Sequence, residues 1–167
     1  RDGAGWRLHG EKEFVLGGHQ AHQFVVTART PEGLGLFVVD PDHPGVERQP
    51  LRTIDGQGAA RLRLAGAVVG DDQRLGEPGA AATAVLERVL DLGAAAACAE
   101  GVGVAQAMLD MTVAHLKERR QFGVAIGSFQ VLQHRAVDMF VEVQLLRSMA
   151  VLATVNADAS DDALRRR

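Results

Sequence analysis

From Ala80 to Glu118 the chain contains no proline and is rich in Ala, Leu and Val. No other feature restricts the fold so strongly. The stretch reads as one helix of about forty residues, spanning roughly 60 Å at helical rise. A helix that long needs other long helices beside it. Gly93, Gly101 and Gly103 interrupt it, each at a cost of up to about 1 kcal/mol relative to Ala. They are tolerable where a neighbouring backbone approaches closely.

A second helix is expected after a short link at 119–127. Ser128 offers an N-cap. Phe129, Leu132, Ala136, Met139, Val143, Leu146 and Ala150 then recur in steps of three and four, the seam of an antiparallel pair. Ser160-Asp161-Asp162 looks like the cap and acidic first turn of a further helix, yet the sequence stops at Arg167. Two helices bury only part of their apolar faces, and a bundle normally uses four. The expectation is an incomplete four-helix bundle whose missing helices come from beyond the sequence or from another chain.

Ahead of Gly76-Glu77-Pro78-Gly79 the period changes. Phe24-Val25-Val26-Thr27-Ala28 and Leu36-Phe37-Val38-Val39 are β-branched or apolar runs of strand length. Thr30-Pro31-Glu32-Gly33, Pro41-Asp42-His43-Pro44-Gly45 and Asp55-Gly56 separate them with turn chemistry. Arg61-Leu62-Arg63-Leu64 alternates with period two, as a half-buried strand does. The fold class is therefore α+β: a small antiparallel β-sheet or barrel domain at 1–76, followed by two long antiparallel helices at 77–167.

Composition excludes several functions. Of 167 residues, 47% are hydrophobic and 23% charged, with a net charge of −3 and no basic block, so nucleic-acid binding has no support. Cys98 is the single cysteine; intrachain disulfides are excluded, and a small buried thiol is expected. No apolar run is read as reaching the ~20 residues that span a bilayer, and no signal-peptide layout is present. A cytoplasmic protein is expected. His19 and His22 lack a third ligand at suitable spacing, so they read as surface loop and no metal site is expected.

The chemistry concentrates in Arg119-Arg120-Gln121-Phe122-Gly123 and Ser128-Phe129-Gln130. A plain connector is a few polar residues. This one carries guanidinium groups suited to gripping phosphate, amides suited to the edge of a flat ring, and a glycine that admits close approach. A core Phe and a surface Arg in a helix–loop–helix would also account for it.

Read whole, Arg119 to Met139 resembles the acyl-CoA dehydrogenase signature, which runs Arg-x-x-Phe-Gly, Ile-x-x-Phe-Gln, a His or Gln, and Ala-Asp-Met. The matches here are Arg119, Phe122-Gly123, Ile126, Phe129-Gln130 and Val137-Asp138-Met139, the last with Val for Ala. Gly5-Trp6-Arg7-Leu8-His9-Gly10-Glu11-Lys12 resembles the Gly-Trp-x-Leu-x-Gly-x-Lys stretch of that family's middle β-domain. Leu36-Phe37-Val38-Val39-Asp40 and Gly45-Val46 are similar to its later strands. The stretch Val15 to Ala21 is similar to small subunits of pimeloyl-CoA-type dehydrogenases.

The resemblance implies FAD as cofactor, an acyl-CoA thioester as substrate and α,β-dehydrogenation as the reaction. It implies that Arg119 holds the FAD pyrophosphate of a partner subunit, with Gln121 beside it, Phe122 packing near the cofactor and Gln130 toward the adenine. Phe14-Val15-Leu16 stands where the family has an aromatic, Ile and Thr or Ser, so Phe14 and Leu16 pack against the flavin without the hydroxyl contact. Asp91 matches an Asp at the CoA end. Core packing accounts equally well for the three β-domain residues. A surface ion pair with Glu118 or Asp110 is the lesser reading for Arg119, and His134, four residues after Gln130, reads either as a hydrogen-bonding group near the cofactor or as a structural residue.

No catalytic residue is assigned. The usual family glutamate falls past Arg167; members that place it in the first long helix do so where this chain has Gly93, and the nearby substrate-binding Arg is Ala94. Glu87, Glu100, Glu118 and Glu142 read as surface or helix-pairing residues. The leading expectation is a fragment of a bacterial acyl-CoA dehydrogenase of fatty acid metabolism, inactive alone, which homo- or hetero-oligomerises through its helices and passes electrons to an electron-transfer flavoprotein or similar acceptor. The alternative is a non-catalytic subunit or assembly module of a heteromeric dehydrogenase.

Overall fold

The computed structural model describes Gly3, residues 5–157 and Ala159; the expected cap at Ser160-Asp161-Asp162 lies outside them. The chain forms two compact units, Arg1–Leu86 and Glu87–Arg167.

The first unit holds five strands: β1 (Gly5–Leu16), β2 (Phe24–Thr30), β3 (Gly33–Val39), β4 (Val46–Arg52) and β5 (Gly58–Gly70). They pair antiparallel as a three-stranded sheet in the order β1-β5-β4 and a separate β2–β3 hairpin. Of the two expected forms the sheet is realised; no closed barrel forms among the described residues. Trp6 and Leu8 on β1, Phe24 and Val26 on β2, Phe37 and Val39 on β3, and Leu62 and Leu64 on β5 meet in one core between the two sheets. The period-two pattern holds on β5: Leu62 and Leu64 are buried while Arg61 and Arg63 face solvent. Arg61 pairs with Glu13 at 2.6 Å, and Arg63 lies 3.8 Å from Glu11 and 3.7 Å from Glu47. Such exposed pairs add little stability.

The segment after β5 continues along β3. Leu75 donates from its backbone to Leu36 O at 2.9 Å and Gly79 to Leu34 O at 2.7 Å. Arg74 forks onto both Glu77 carboxylate oxygens at 2.7 and 2.8 Å. A Cβ on Gly33 would lie 2.9 Å from Gly79 Cα, so the bare Gly33 backbone lets the helix entry dock on the hairpin.

The helices are α1 (Ala80–Glu118) and α2 (Gln130–Ala157). Residues 106–118 of α1 share one groove with Ala136, Val137 and Phe140 of α2, while Ala99 and Val102 share another with Arg147, Ala150 and Val151. High numbers on one helix face low numbers on the other, so the pair is antiparallel. On α2, Leu132, Ala136 and Met139 are half-buried and Val143 and Ala150 buried, as the periodicity predicts. Leu146 departs from it at 47% exposure. Arg147 reaches across at this level to donate from Nη2 to Gln106 Oε1 at 2.9 Å, and a polar bridge replaces the apolar step.

Three further expectations change. Gly93, Gly101 and Gly103 have no neighbour within 4 Å of an added Cβ, so no backbone among the described residues explains them. Cys98 is exposed, not buried, because the two-helix seam takes Ala95 and Val102 and leaves its face uncovered. Finally, α1 is long and apolar enough to cross a membrane by length and composition, with a window of mean hydropathy 1.4. Its Leu, Val, Met and Ala residues are interrupted by Asp91 and Glu100, which is why no unbroken apolar run marks it.

Candidate functional site

The link between the helices is an ordered hairpin. Arg119 extends α1, its N–H donating to His115 O at 2.9 Å, and its carbonyl accepts from Ile126 N at 2.8 Å. Two short strands follow, β6 (Arg120–Gln121) and β7 (Val124–Ala125), with Arg120 opposite Ala125 and Gln121 opposite Val124. The two residues between them, Phe122 and Gly123, have φ of 53° and 81°. Two left-handed residues joining paired strands make a type I′ turn, in which Asn-Gly or Asp-Gly is favoured. A Phe there is strained by about 1 kcal/mol.

That strain does not serve the core. Phe122 is 92% exposed, its ring edge-on to Phe129 with centroids 6.2 Å apart. Replacing Phe122 by Gly should therefore leave the helical unit as stable, or up to about 1 kcal/mol more stable. Thermal melting followed by circular dichroism measures this; a clear loss would show that the edge contact outweighs the strain.

The polar residues point outward as well. The Arg119 side chain is exposed and makes no hydrogen bond or ion pair among the described residues, so the surface pairing with Glu118 or Asp110 does not form. Asp110 accepts instead from Gln106 Nε2 at 2.9 Å. Gln121 is exposed, its Nε2 donating to Arg120 O at 2.7 Å. Ser128 is not the N-cap of α2: its Oγ donates to Ala125 O at 2.7 Å, and Phe129 takes the cap position, its carbonyl accepting from Gln133 N at 3.2 Å. Gln133 reaches back to Gly127 O at 2.9 Å. Gln130 opens α2 with its side chain exposed. Arg119, Gln121, Phe122 and Gln130 thus gather on one hairpin and the helix start beside it. Asp91, half-buried on α1, lies about 40 Å from Arg119 along the helix axis, and the chain does not bring the two together.

In the β unit, Phe14 repeats the theme. Lys12 pairs with Leu62 and Val15 with Ala60, so β1 carries an extra residue between them, a bulge. Phe14 sits in it at φ 50° and 68% exposure, and Leu16 beside it is 67% exposed. Core packing is therefore not what Phe14 and Leu16 do within this chain. Phe14 and Phe122 are the two non-glycine residues with positive φ among the described residues. His19 packs its imidazole against Gly58, in the space that a Cβ there would fill, which gives it a packing role.

Comparison with known proteins accounts for both units. Residues 1–67 match the profile of the acyl-CoA dehydrogenase middle domain, and residues 82–166 match that of the acyl-CoA dehydrogenase C-terminal domain. The chain belongs to the acyl-CoA dehydrogenase family. It is 34% identical over 161 residues to glutaryl-CoA dehydrogenase from Desulfococcus multivorans, covering 92% of this chain and 41% of that protein. Among solved structures, a glutaryl-CoA dehydrogenase in complex with glutaryl-CoA superposes with TM-score 0.83 at 34% identity, covering 91% of this chain and 40% of that one. The ChsE4–ChsE5 complex from Mycobacterium tuberculosis gives TM-score 0.80 at 31% identity, covering 98% and 43%. The chain thus spans about two-fifths of the length of these relatives. Members of the family use FAD. Most of α1 lies inside the C-terminal match.

Proposed function

We propose that this chain is part of an FAD-dependent acyl-CoA dehydrogenase that removes hydrogen from the α and β carbons of an acyl-CoA thioester, and that it is inactive alone. The observation that carries this is the 119–123 hairpin, where a partnerless guanidinium and a strained, solvent-facing aromatic ring stand together on a family motif. Outward-facing groups held at the expense of backbone strain fit a cofactor that completes the contact. In this reading Arg119 holds the FAD pyrophosphate of a partner subunit by a charge-assisted fork, with Gln121 beside it. Phe122 covers the cofactor, Gln130 faces the adenine side, and Phe14 and Leu16 pack on a flavin face. Asp91 stands at the CoA end. Bound FAD would supply the hydride acceptor. Residues 1–76 form the middle domain and 77–167 the start of the helical domain, in a cytoplasmic bacterial enzyme of fatty acid metabolism. It assembles through its helices and passes electrons to an electron-transfer flavoprotein or similar acceptor.

The chain's own residues explain the expected inactivity. Gly93 carries no base where some family members have a glutamate, and Ala94 no cation. The same thinning, with Leu16 in place of a hydroxyl residue, favours a second reading: a non-catalytic subunit of a heteromeric dehydrogenase. The likeness to the ChsE4–ChsE5 complex supports considering it.

Titrating FAD with the purified chain, followed by flavin fluorescence, tests the cofactor reading. Saturable quenching is expected, with no turnover of acyl-CoA by the chain alone. Absence of saturable quenching at any accessible protein concentration would sink the proposed FAD contacts. Turnover by the isolated chain would show instead that it carries its own base.

A further inference from the structure

Between β1 and the β2–β3 hairpin lies a cleft that involves none of the residues assigned above. It encloses a cavity of about 480 Å³, a size common among small-molecule sites. Its lining includes three permanent cations, Arg7, Lys12 and Arg29, together with His9. Glu11 is the one carboxylate in that lining, and it faces Arg63 of β5 at 3.8 Å. The whole chain carries a net charge of −3, so the positive excess is local.

The backbone builds this concentration. Leu8 pairs with Ala67 and His9 with Ala65, leaving Gly66 as an extra residue in β5 at φ 82°. A glycine bulge of this kind bends the strand and re-aims its neighbours. An added Cβ on Gly66 would lie 3.5 Å from His9 Cε1 and 3.6 Å from Arg7 Nη1, so the bare glycine leaves room for both side chains. Across the cleft, Lys12 Nζ donates to Thr27 Oγ1 at 3.1 Å, which ties the ammonium to β2. The side chain of Arg29, two residues further along β2, makes no hydrogen bond or ion pair among the described residues.

We propose that this cleft binds a small phosphate-bearing anion. Arg29 supplies a planar fork for two phosphate oxygens, Lys12 a positioned point charge, and Arg7 and His9 the opposite wall. The phosphates of a CoA carrier and those of a free phosphorylated metabolite share this chemistry.

The test is a calorimetric titration of the chain with inorganic pyrophosphate, carried out in an Arg119→Ala background so that the helix link adds nothing. Saturable binding is expected, weakened about tenfold or more by Arg29→Ala and less by Arg29→Lys, with the melting temperature unchanged. Displacement of pyrophosphate by CoA would assign the anion to the thioester carrier; displacement by ATP but not by CoA would assign it to a free phosphorylated metabolite. No saturable binding, or binding indifferent to both Arg29→Ala and Lys12→Gln, overturns the proposal. Because flavin titration of the unmodified chain reads the helix link separately, failure of one inference leaves the other standing.

Discussion

Replacing Phe37 by Ala is expected to destabilise the β unit by about 3–5 kcal/mol, a large share of the 5–15 kcal/mol that holds a typical domain together. Phe37 is fully buried, and its ring tilts against Trp6 with centroids 5.3 Å apart. A Cβ on Gly35 would come within 2.7 Å of that ring, so the neighbouring glycine has been kept clear for it. The walls of the resulting cavity cannot close easily. Phe37 is paired along its backbone with Val26 on one side and bridged to Arg74 on the other, while Trp6 is anchored by Nε1 donating to Asp71 Oδ1 at 2.8 Å. Trp6 is the single tryptophan of the chain, so urea unfolding followed by its fluorescence reports on this unit. A shift of less than about 1 kcal/mol would mean that the two sheets repack around the void, and that the core is looser than close packing implies.

The elements read from periodicity were legible because burial repeats. Leu62 and Leu64 on β5, and Leu132 through Val143 on α2, fall where alternation and the three-four step place them. What escaped the sequence depends on a single contact or on a backbone angle. Leu146 and Arg147 are neighbours, and only the cross-helix hydrogen bond to Gln106 decides which of them meets α1. Ser128 has the right side chain for a cap, but the 3₁₀ turn Ile126–Ser128 draws its hydroxyl back to Ala125. Phe122-Gly123 forms the kind of turn that Asn-Gly announces, with a residue that announces nothing. The Ala-rich pattern predicts a buried Cys98 and close approach at the three α1 glycines, which a pair of helices does not provide.

Arg119→Ala is expected to weaken FAD binding by about a hundredfold while leaving the melting temperature of the chain where it was. The two halves of that expectation have one cause. The Arg119 guanidinium makes no hydrogen bond or ion pair among the described residues, and the backbone N–H and carbonyl are satisfied by His115 and Ile126 whatever side chain the residue carries. Truncation therefore removes no folded-state contact, and the cost appears only when the ligand is present. A forked bond from guanidinium to phosphate is worth about 2–3 kcal/mol, which is about thirty- to a hundred-and-fifty-fold in affinity. Arg119→Lys keeps the charge without the planar fork and should fall between the two. Flavin fluorescence titration of the three proteins beside their thermal melts separates the possibilities. If Arg119→Ala binds FAD as tightly as the parent chain, the guanidinium does not hold the cofactor. If it melts lower, Arg119 belongs to the helix end and its exposure has another origin. Loss of binding at constant stability is the result that a cofactor grip produces and a structural residue does not.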